Sequence, residues 1–311
     1  MIAMKPTQWR RRLLRLLAIG LAVGLPAYYV LVVHSPSPEG EFPLDLAKVR
    51  ALAESLPGAK ATQVRFESPM AFTFTEAMVT AGDPWRKTPV PVFSYQVVFP
   101  DHTLVIDSAM DHALANGTPL VTSYDDAAYQ HMAAALASAA LIVVTHEHLD
   151  HLGGLASHPG FAGLVKALRL TEEQVANSAG LKPAVLPAAA MQGYQPLCYD
   201  NLLALAPGVV LIKAPGHTVG SQLVYVRRAD GRELLFLGDV AWHLRNVQTV
   251  RERPLFMTLM IGEDRQRVLA ELQTLHRLTI DEPGVKLVPG HDGEVVKALA
   301  DEGLLTKGFA L

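Results

Sequence analysis

Between Thr145 and His151 the chain reads Thr-His-Glu-His-Leu-Asp-His, which places His146, His148, Asp150 and His151 within six residues. Three imidazoles and a carboxylate packed this closely are costly inside a folded chain unless they are paired or bound to a metal. An exposed polar loop would account for that stretch alone, but Gly216-His217, Gly238-Asp239 and Gly290-His291 extend the pattern along the chain. Imidazole and carboxylate donors without thiolate suit zinc, with iron or manganese as alternatives. Neither a Gly-x-Ser-x-Gly elbow nor a Gly-rich phosphate loop occurs, so the chemistry on offer is that of a metal.

Each of these groups follows a hydrophobic run that must position it. Leu141 to Thr145 reads as a buried strand delivering His146; Val209 to Ile212 ends near His217, Glu233 to Leu237 at Asp239, and Val285 to Val288 at His291. Val92 to Phe99 and Thr103 to Asp107 flank a turn at Pro100, so another carboxylate, Asp107, closes a strand in the same way. Ser221 to Val226 pairs with the Glu233 strand across Ala229, Asp230 and Gly231. Helical spacing marks Leu46 to Leu56, an alanine-rich stretch from Ser123 to Ala139, and Asp264 to Leu278. Thr171 to Gln174 is a capping-box pattern opening a helix that Gly180 closes, inside an irregular region from Leu152 to Pro207 that reads as an insertion. Open α/β sheets collect ligands beyond the carboxyl ends of their strands, so loops at 107, 146, 217, 239 and 291 can converge on one pocket.

A chain of 311 residues, half of them hydrophobic, can bury the core of one large α/β domain. Residues 1–40 hold five of the 27 Lys and Arg (Lys5, Arg10, Arg11, Arg12, Arg15) but one of the 30 Asp and Glu (Glu39), leaving 22 against 29 in the body. An acidic body lacks the basic footprint with which proteins displace counterions from phosphates, which argues against a nucleic-acid substrate. Cys198 is the only cysteine, so an intrachain disulfide is excluded, and a lone thiol is expected as a small buried hydrophobe.

Leu16 to Val33 is uncharged and mostly apolar, long enough to cross a bilayer as a helix, and four arginines precede it. The domain reading is therefore a basic cytoplasmic N-terminus at 1–15, a transmembrane anchor or uncleaved signal at 16–33, a Pro-rich linker at 34–40 and one α/β domain at 41–311. The body is expected outside the cytoplasm, in the periplasm, tethered by the helix. A signal peptide cleaved after Ala27 is the rival reading, and Arg10 to Arg15 resembles a twin-arginine export signal.

His146-x-His148-x-Asp150-His151, Gly216-His217-Thr218, Gly238-Asp239 and Gly290-His291, in this order, resemble the metal motifs of the metallo-β-lactamase superfamily. The resemblance covers about residues 90–292 and implies a four-layer αβ/βα sandwich with its site at the edge between two sheets. It also implies that His146, His148 and His217 hold one metal, that Asp150, His151 and His291 hold a second, and that Asp239 bridges them. Asp107 resembles the aspartate that supports these ligands from behind, although Ser108-Ala109-Met110 follows it where Thr-Gly is usual. Two cations sharing a water lower its pKa from roughly 16 toward ~7, so a metal-bridging hydroxide can attack while one cation polarises the carbonyl.

Within the superfamily, Asp at 239 departs from the Cys or Ser of true β-lactamases. The pattern is most similar to the N-acyl homoserine lactonase and esterase branch, with Trp242 where that branch often has Tyr. The expected reaction is cleavage of a small-molecule ester or lactone, with Asp150 in a catalytic role. The alternatives are a thioesterase resembling glyoxalase II and an iron-dependent sulfur dioxygenase. Trp242, His243 and Tyr194 are candidates for the substrate pocket, and Tyr199 a weaker one. His34, His102, His112, His131, His158 and His276 are read as structural.

Overall fold

The computed structural model describes residues 6–310; Lys5 and the other residues of the basic terminus before Pro6 lie outside it. The first sheet is built from β1 (Gln63–Thr75), β2 (Lys87–Val98), β3 (Thr103–Ile106), β4 (Val121–Tyr124), β5 (Leu141–Val143) and the two-residue strand Thr306–Lys307. β1 and β2 pair antiparallel over their whole length, β3 adds antiparallel to β2, and β5 adds parallel to β3. The second sheet runs in the order β10 (Val285–Pro289), β9 (Glu233–Gly238), β8 (Gln222–Arg227), β7 (Val209–Lys213), β6 (Leu202–Ala206), antiparallel except for the β9–β10 pair.

Strands covered on both faces are apolar at every position, and the alternation then sorts side chains between two cores. Val209, Leu211, Val224, Val226, Leu234 and Phe236 meet Tyr95, Leu104, Ile106 and Val143 between the sheets. Their neighbours Val210, Ile212, Leu223, Tyr225, Leu235 and Leu237 pack outward on Val268, Leu272 and Leu275 of the helix Arg265–Asp281 and on Val49 and Ala53 of the helix Leu46–Ala53. On the far side, Val105 and Ile142 are covered by Met132 and Leu136 of the helix Asp126–Ser138 and by Leu152 and Leu155 of the helix Leu149–Ala156. The layers are thus helix, sheet, sheet, helix, the expected αβ/βα sandwich.

Several elements depart from the sequence reading. β1 is a 13-residue strand that the sequence does not announce: Pro69 interrupts its alternation, and a register shift falls between Glu67 and Met70. β2 begins at Lys87, earlier than expected, and carries Pro89 and Pro91 where β3 does not yet pair with it, an edge position that tolerates a missing N–H. The Thr171 capping box is present, but its helix stops at Ala176 and a 3₁₀ turn, Ser178–Leu181, follows. Cys198 is exposed rather than buried. Tyr199, Leu197 and Leu203, from the irregular region, pack on the core between the sheets.

Toward the N-terminus, the helix Pro6–Tyr28 continues as a π-helical turn, Tyr29–Val33. Within Trp9–Val33 the most apolar stretch of 18 residues has a mean hydropathy of 2.3 and is 6% buried, so by length and composition the segment can cross a membrane. Residues 34–39, expected as a linker, are irregular and lie against the body: Arg265 donates to the His34 carbonyl and the Ser35 hydroxyl to Glu252.

Candidate metal centre

All seven candidate ligands lie at one edge of the sandwich, each carried by the loop that leaves a strand. β5 delivers His146 and His148, and the first turn of the Leu149–Ala156 helix adds Asp150 and His151. β7, β9 and β10 lead to His217, Asp239 and His291. Two groups result: one atom each from His146, His148, His217 and Asp239 lie within 4.8 Å of one another, and so do atoms of Asp150, His151 and His291.

Asp239 joins the groups through its two oxygens. Oδ2 is 3.4 Å from His217 Nε2 and 3.7 Å from His146 Nε2, whereas Oδ1 is 3.2 Å from His151 Nε2 and 3.1 Å from His291 Nε2. Asp150 Oδ2 completes the second group, 3.6 Å from His291 Nε2. His146 Nε2, His151 Nε2 and Asp239 Oδ1 are buried with no hydrogen-bond partner. Polar atoms left this way are expensive unless something else satisfies them, and these are the atoms that a pair of cations would take. The donor set fits two divalent metals.

The imidazole nitrogens that face away from the clusters are held. Asp107 accepts from His151 Nδ1 at 2.9 Å and from the Thr145 N–H and hydroxyl at 2.6 and 2.9 Å, in the supporting position expected of it. It does so with φ of 62°, a left-handed conformation in which a non-glycine residue is strained. His291 Nδ1 donates to the Pro91 carbonyl at 2.9 Å, and His217 Nδ1 to Glu263 at 2.5 Å. Such contacts fix the ring tautomer and aim the opposite nitrogen.

The charges are consistent with cation binding. Burial pushes the His146 pKa well below its usual value and His148 down to about 4, so both rings are neutral donors at neutral pH. Burial opposes ionisation of Asp239, but His291, His151 and His146 around it win and hold its carboxyl well below the ordinary range. His151 is pulled the other way: burial is outweighed by Asp239, Asp150 and Asp107, which raise its pKa.

Glu263, Arg253 and Glu271 are absent from the sequence reading, and Glu147 has no role in it, yet all four shape this site. Arg253 and Glu263 form an ion pair with both side chains fully buried, and the Arg253 guanidinium also lies over the Trp242 ring, 5.0 Å from its centroid. Trp242 in turn donates its indole N–H to Asp239 Oδ2 at 2.7 Å, an oxygen with a second lone pair still available. Glu147 accepts from Thr218 at 2.8 Å and from Asn177 at 2.5 Å, latching the insertion to the His217 loop. Glu271 lies under Gly216, buried. In the sequence Glu263, Arg253 and Glu271 read as ordinary charges in a loop and on a helix with no local pattern to mark them, whereas Glu147 lies within the histidine motif itself.

The glycines before the ligands are there because the loops touch. A Cβ on Gly290 would stand 2.6 Å from Asp239 Oδ1 and 2.8 Å from the Gly238 carbonyl, and one on Gly216 would land on Glu271 and 2.7 Å from the Val268 nitrogen. Gly180 likewise backs directly onto the His148 ring.

A cavity of about 680 Å³ opens onto the clusters, with His148, Asp150, His217, Asp239 and His291 on its floor and Phe72, Phe74, Trp242, Met257 and Ile261 among its apolar walls. Two expectations need correction here. His243 points away from this cavity, into a separate cleft with Glu76, Asp83 and Glu294, because it caps the helix Leu244–Thr249. Tyr194 is turned into the core beneath the insertion, where its hydroxyl accepts from the Leu170 N–H at 2.7 Å. Tyr199 bonds Gln222 and is also away from the cavity.

This architecture is found in known enzymes. An N-acyl homoserine lactone hydrolase with N-hexanoyl-L-homoserine bound at its catalytic metal centre superposes with a TM-score of 0.59 at 17% identity, over 77% of this chain and 96% of that one. AidC, a dizinc quorum-quenching lactonase, matches with a TM-score of 0.52 at 13% identity, over 76% and 90%. A probable metal-dependent hydrolase from Staphylococcus aureus gives 0.55 at 12% identity, over 76% and 91%. The chain therefore has the fold of the metallo-β-lactamase superfamily hydrolases. No protein-family model and no curated protein matches its sequence.

Proposed function

We propose that this chain is a dinuclear metal-dependent hydrolase of lactones or esters. The observation that carries the reading is Asp239, whose two oxygens are divided between two groups of buried donors. Two divalent cations bound there, zinc by preference, would bring a shared water to hydroxide near neutral pH and polarise the substrate carbonyl. The chain's own residues supply the rest. Asp107, Glu263 and the Pro91 carbonyl orient His151, His217 and His291, and Trp242 fixes Asp239. Asp150 faces the cavity with its side chain 18% exposed and would hold the second cation together with His151 and His291. The apolar walls suit a neutral substrate with an acyl chain. The product-bound lactone hydrolase that shares the fold supports a lactone as the first substrate to try.

The test is metal analysis of the purified chain beside a panel of lactones, esters and thioesters. About two metals per chain are expected, with His148→Ala and Asp239→Ala losing metal and turnover together. Full activity after exhaustive chelation would refute the reading. Preference for thioesters, or iron with oxygen uptake, would move the chain to the thioesterase or sulfur dioxygenase alternative. Asp150→Asn should cost more kcat/KM on a lactone, whose tethered alkoxide can reclose, than on an activated aryl ester.

The same reading includes a membrane anchor with an extracytoplasmic domain, supported by the apolar Trp9–Val33 segment and the arginines before its core. A reporter fused after Gly40 should be active only outside the cytoplasm, and activity inside would reverse the topology.

A further inference from the structure

The base of the N-terminal helix and the mouth of the metal cavity meet at one short helix. Where the apolar segment ends, Val32 is buried and its carbonyl accepts from the Gly82 N–H at 2.9 Å, while Arg251 donates to the Val33 carbonyl at 2.5 Å. One turn earlier the Trp85 indole donates to the Tyr28 hydroxyl at 2.9 Å. The helix Leu255–Ile261 packs against the 29–33 turn and also supplies Met257, Met260 and Ile261 to the cavity. Seven residues of helix span only ~10 Å, so the cavity mouth lies about that far from the point where the apolar segment leaves the body.

The rim at this place is apolar and open. Leu259 and Met260 are each 69% exposed, Val219 is 55% exposed and Trp85 53%. Single exposed hydrophobes are ordinary, but Trp85 bonds to Tyr28 of a segment apolar enough to enter a bilayer, and Leu259 and Met260 stand on the helix that packs against its end. Tyrosine and tryptophan settle at headgroup level in membranes.

We propose that the rim formed by Trp85, Leu259 and Met260 rests on the bilayer that the N-terminal helix enters, so that the cavity draws its substrate from the lipid surface. The substrate is then an amphiphile: its acyl chain stays in or near the bilayer while its lactone or ester carbonyl reaches the floor of the cavity. The second statement rests on the hydrolase reading; the first does not.

The experiment uses the full chain carrying Cys198→Ser, reconstituted into vesicles of phosphatidylcholine and phosphatidylglycerol. A polarity-sensitive fluorophore on Leu259→Cys should shift to the blue and be quenched by shallow brominated lipids. The same label on Asp230→Cys, in the β8–β9 turn at the opposite end of β9, should not. Equal quenching at both positions, or at neither, overturns the membrane-facing rim. In the second arm Leu259→Glu should lose about tenfold or more in kcat/KM on a dodecanoyl lactone partitioned into the vesicles, as a charge at an apolar interface demands. Its turnover of a water-soluble butanoyl lactone should not change, since Leu259 does not line the cavity. Equal effects on both lactones overturn the surface-drawn substrate. If the metal-loaded parent hydrolyses neither, the hydrolase reading fails and the amphiphile with it, while the quenching arm still decides the rim.

Discussion

Arg253→Met tests whether the buried pair behind His217 sustains the metal centre. Methionine fills much the same volume but leaves Glu263 without its cation, in a place where both side chains are fully buried. Removing one partner of a buried ion pair costs ~3–5 kcal/mol, a large share of the ~5–15 kcal/mol that holds a typical domain folded. Burial already opposes ionisation of Glu263, and Arg253 is the first of the influences that keep its pKa low. Without the guanidinium the carboxyl takes up a proton, and the charge-assisted bond to His217 Nδ1 becomes a neutral one. Losses of this kind lower metal affinity about 10–100-fold. The double variant Arg253→Met, Glu263→Gln removes both charges and should recover most of the lost stability, yet keep the weakened metal binding. Denaturant unfolding of the full chain in detergent without added metal gives the first quantity, and titration with a competing chelator the second. A loss below ~1 kcal/mol in the single variant, or equal losses in single and double variants, would show that the pair does not act in this way.

Glu271 is pushed up to about 8 by burial, with Glu263 adding to the effect, so the folded chain keeps a proton that an unfolded one releases above about 4.5. Stability should therefore fall as pH rises from about 4.5 to 8 and then level off, and Glu271→Gln should flatten that slope, gaining a few kcal/mol over the parent at roughly pH 8 in denaturant midpoints; parallel slopes would contradict the assignment. Gly180→Ala pushes a methyl onto the His148 ring and should lower metal occupancy with the circular dichroism spectrum unchanged. Trp242→Phe keeps the ring but loses the N–H to Asp239, and should weaken metal binding by about tenfold in a chelator competition; unchanged affinity would mean that the indole only packs.

The fold was legible wherever strands are buried on both faces, because β5, β7, β9 and β10 announce themselves as largely apolar runs followed within a few residues by a histidine or an aspartate. β1 was not legible: its alternation is broken at Pro69, and half of what defines it is pairing with β2 rather than anything in its own composition. Imidazoles and carboxylates gathered at strand ends are costly to bury unless a cation takes them up, which marked the region, and the family resemblance then supplied the seven positions that the structure brings together. Reading outward from them failed at His243 and Tyr194, since closeness along the chain does not say which way a side chain turns. His243 is turned by the helix it caps, and Tyr194 by the core it fills. Glu263 and Arg253 could not be found at all, because a buried charge is recognisable only once the partner ten residues away is known to face it.

The contact between ligand loops at Gly238 and Gly290 has a bearing on how such a molecule can change over generations. Because a single methyl at Gly290 meets both Asp239 and the Gly238 backbone, the loops bearing Asp239 and His291 cannot change at this point one at a time. The cavity walls are under no such lock: Met260 is 69% exposed and stands on the helix Leu255–Ile261, which carries none of the candidate ligands. New specificities should therefore arise by substitution on the rim and walls while the floor stays as it is, so a mutational library aimed at other acyl compounds is best spent there.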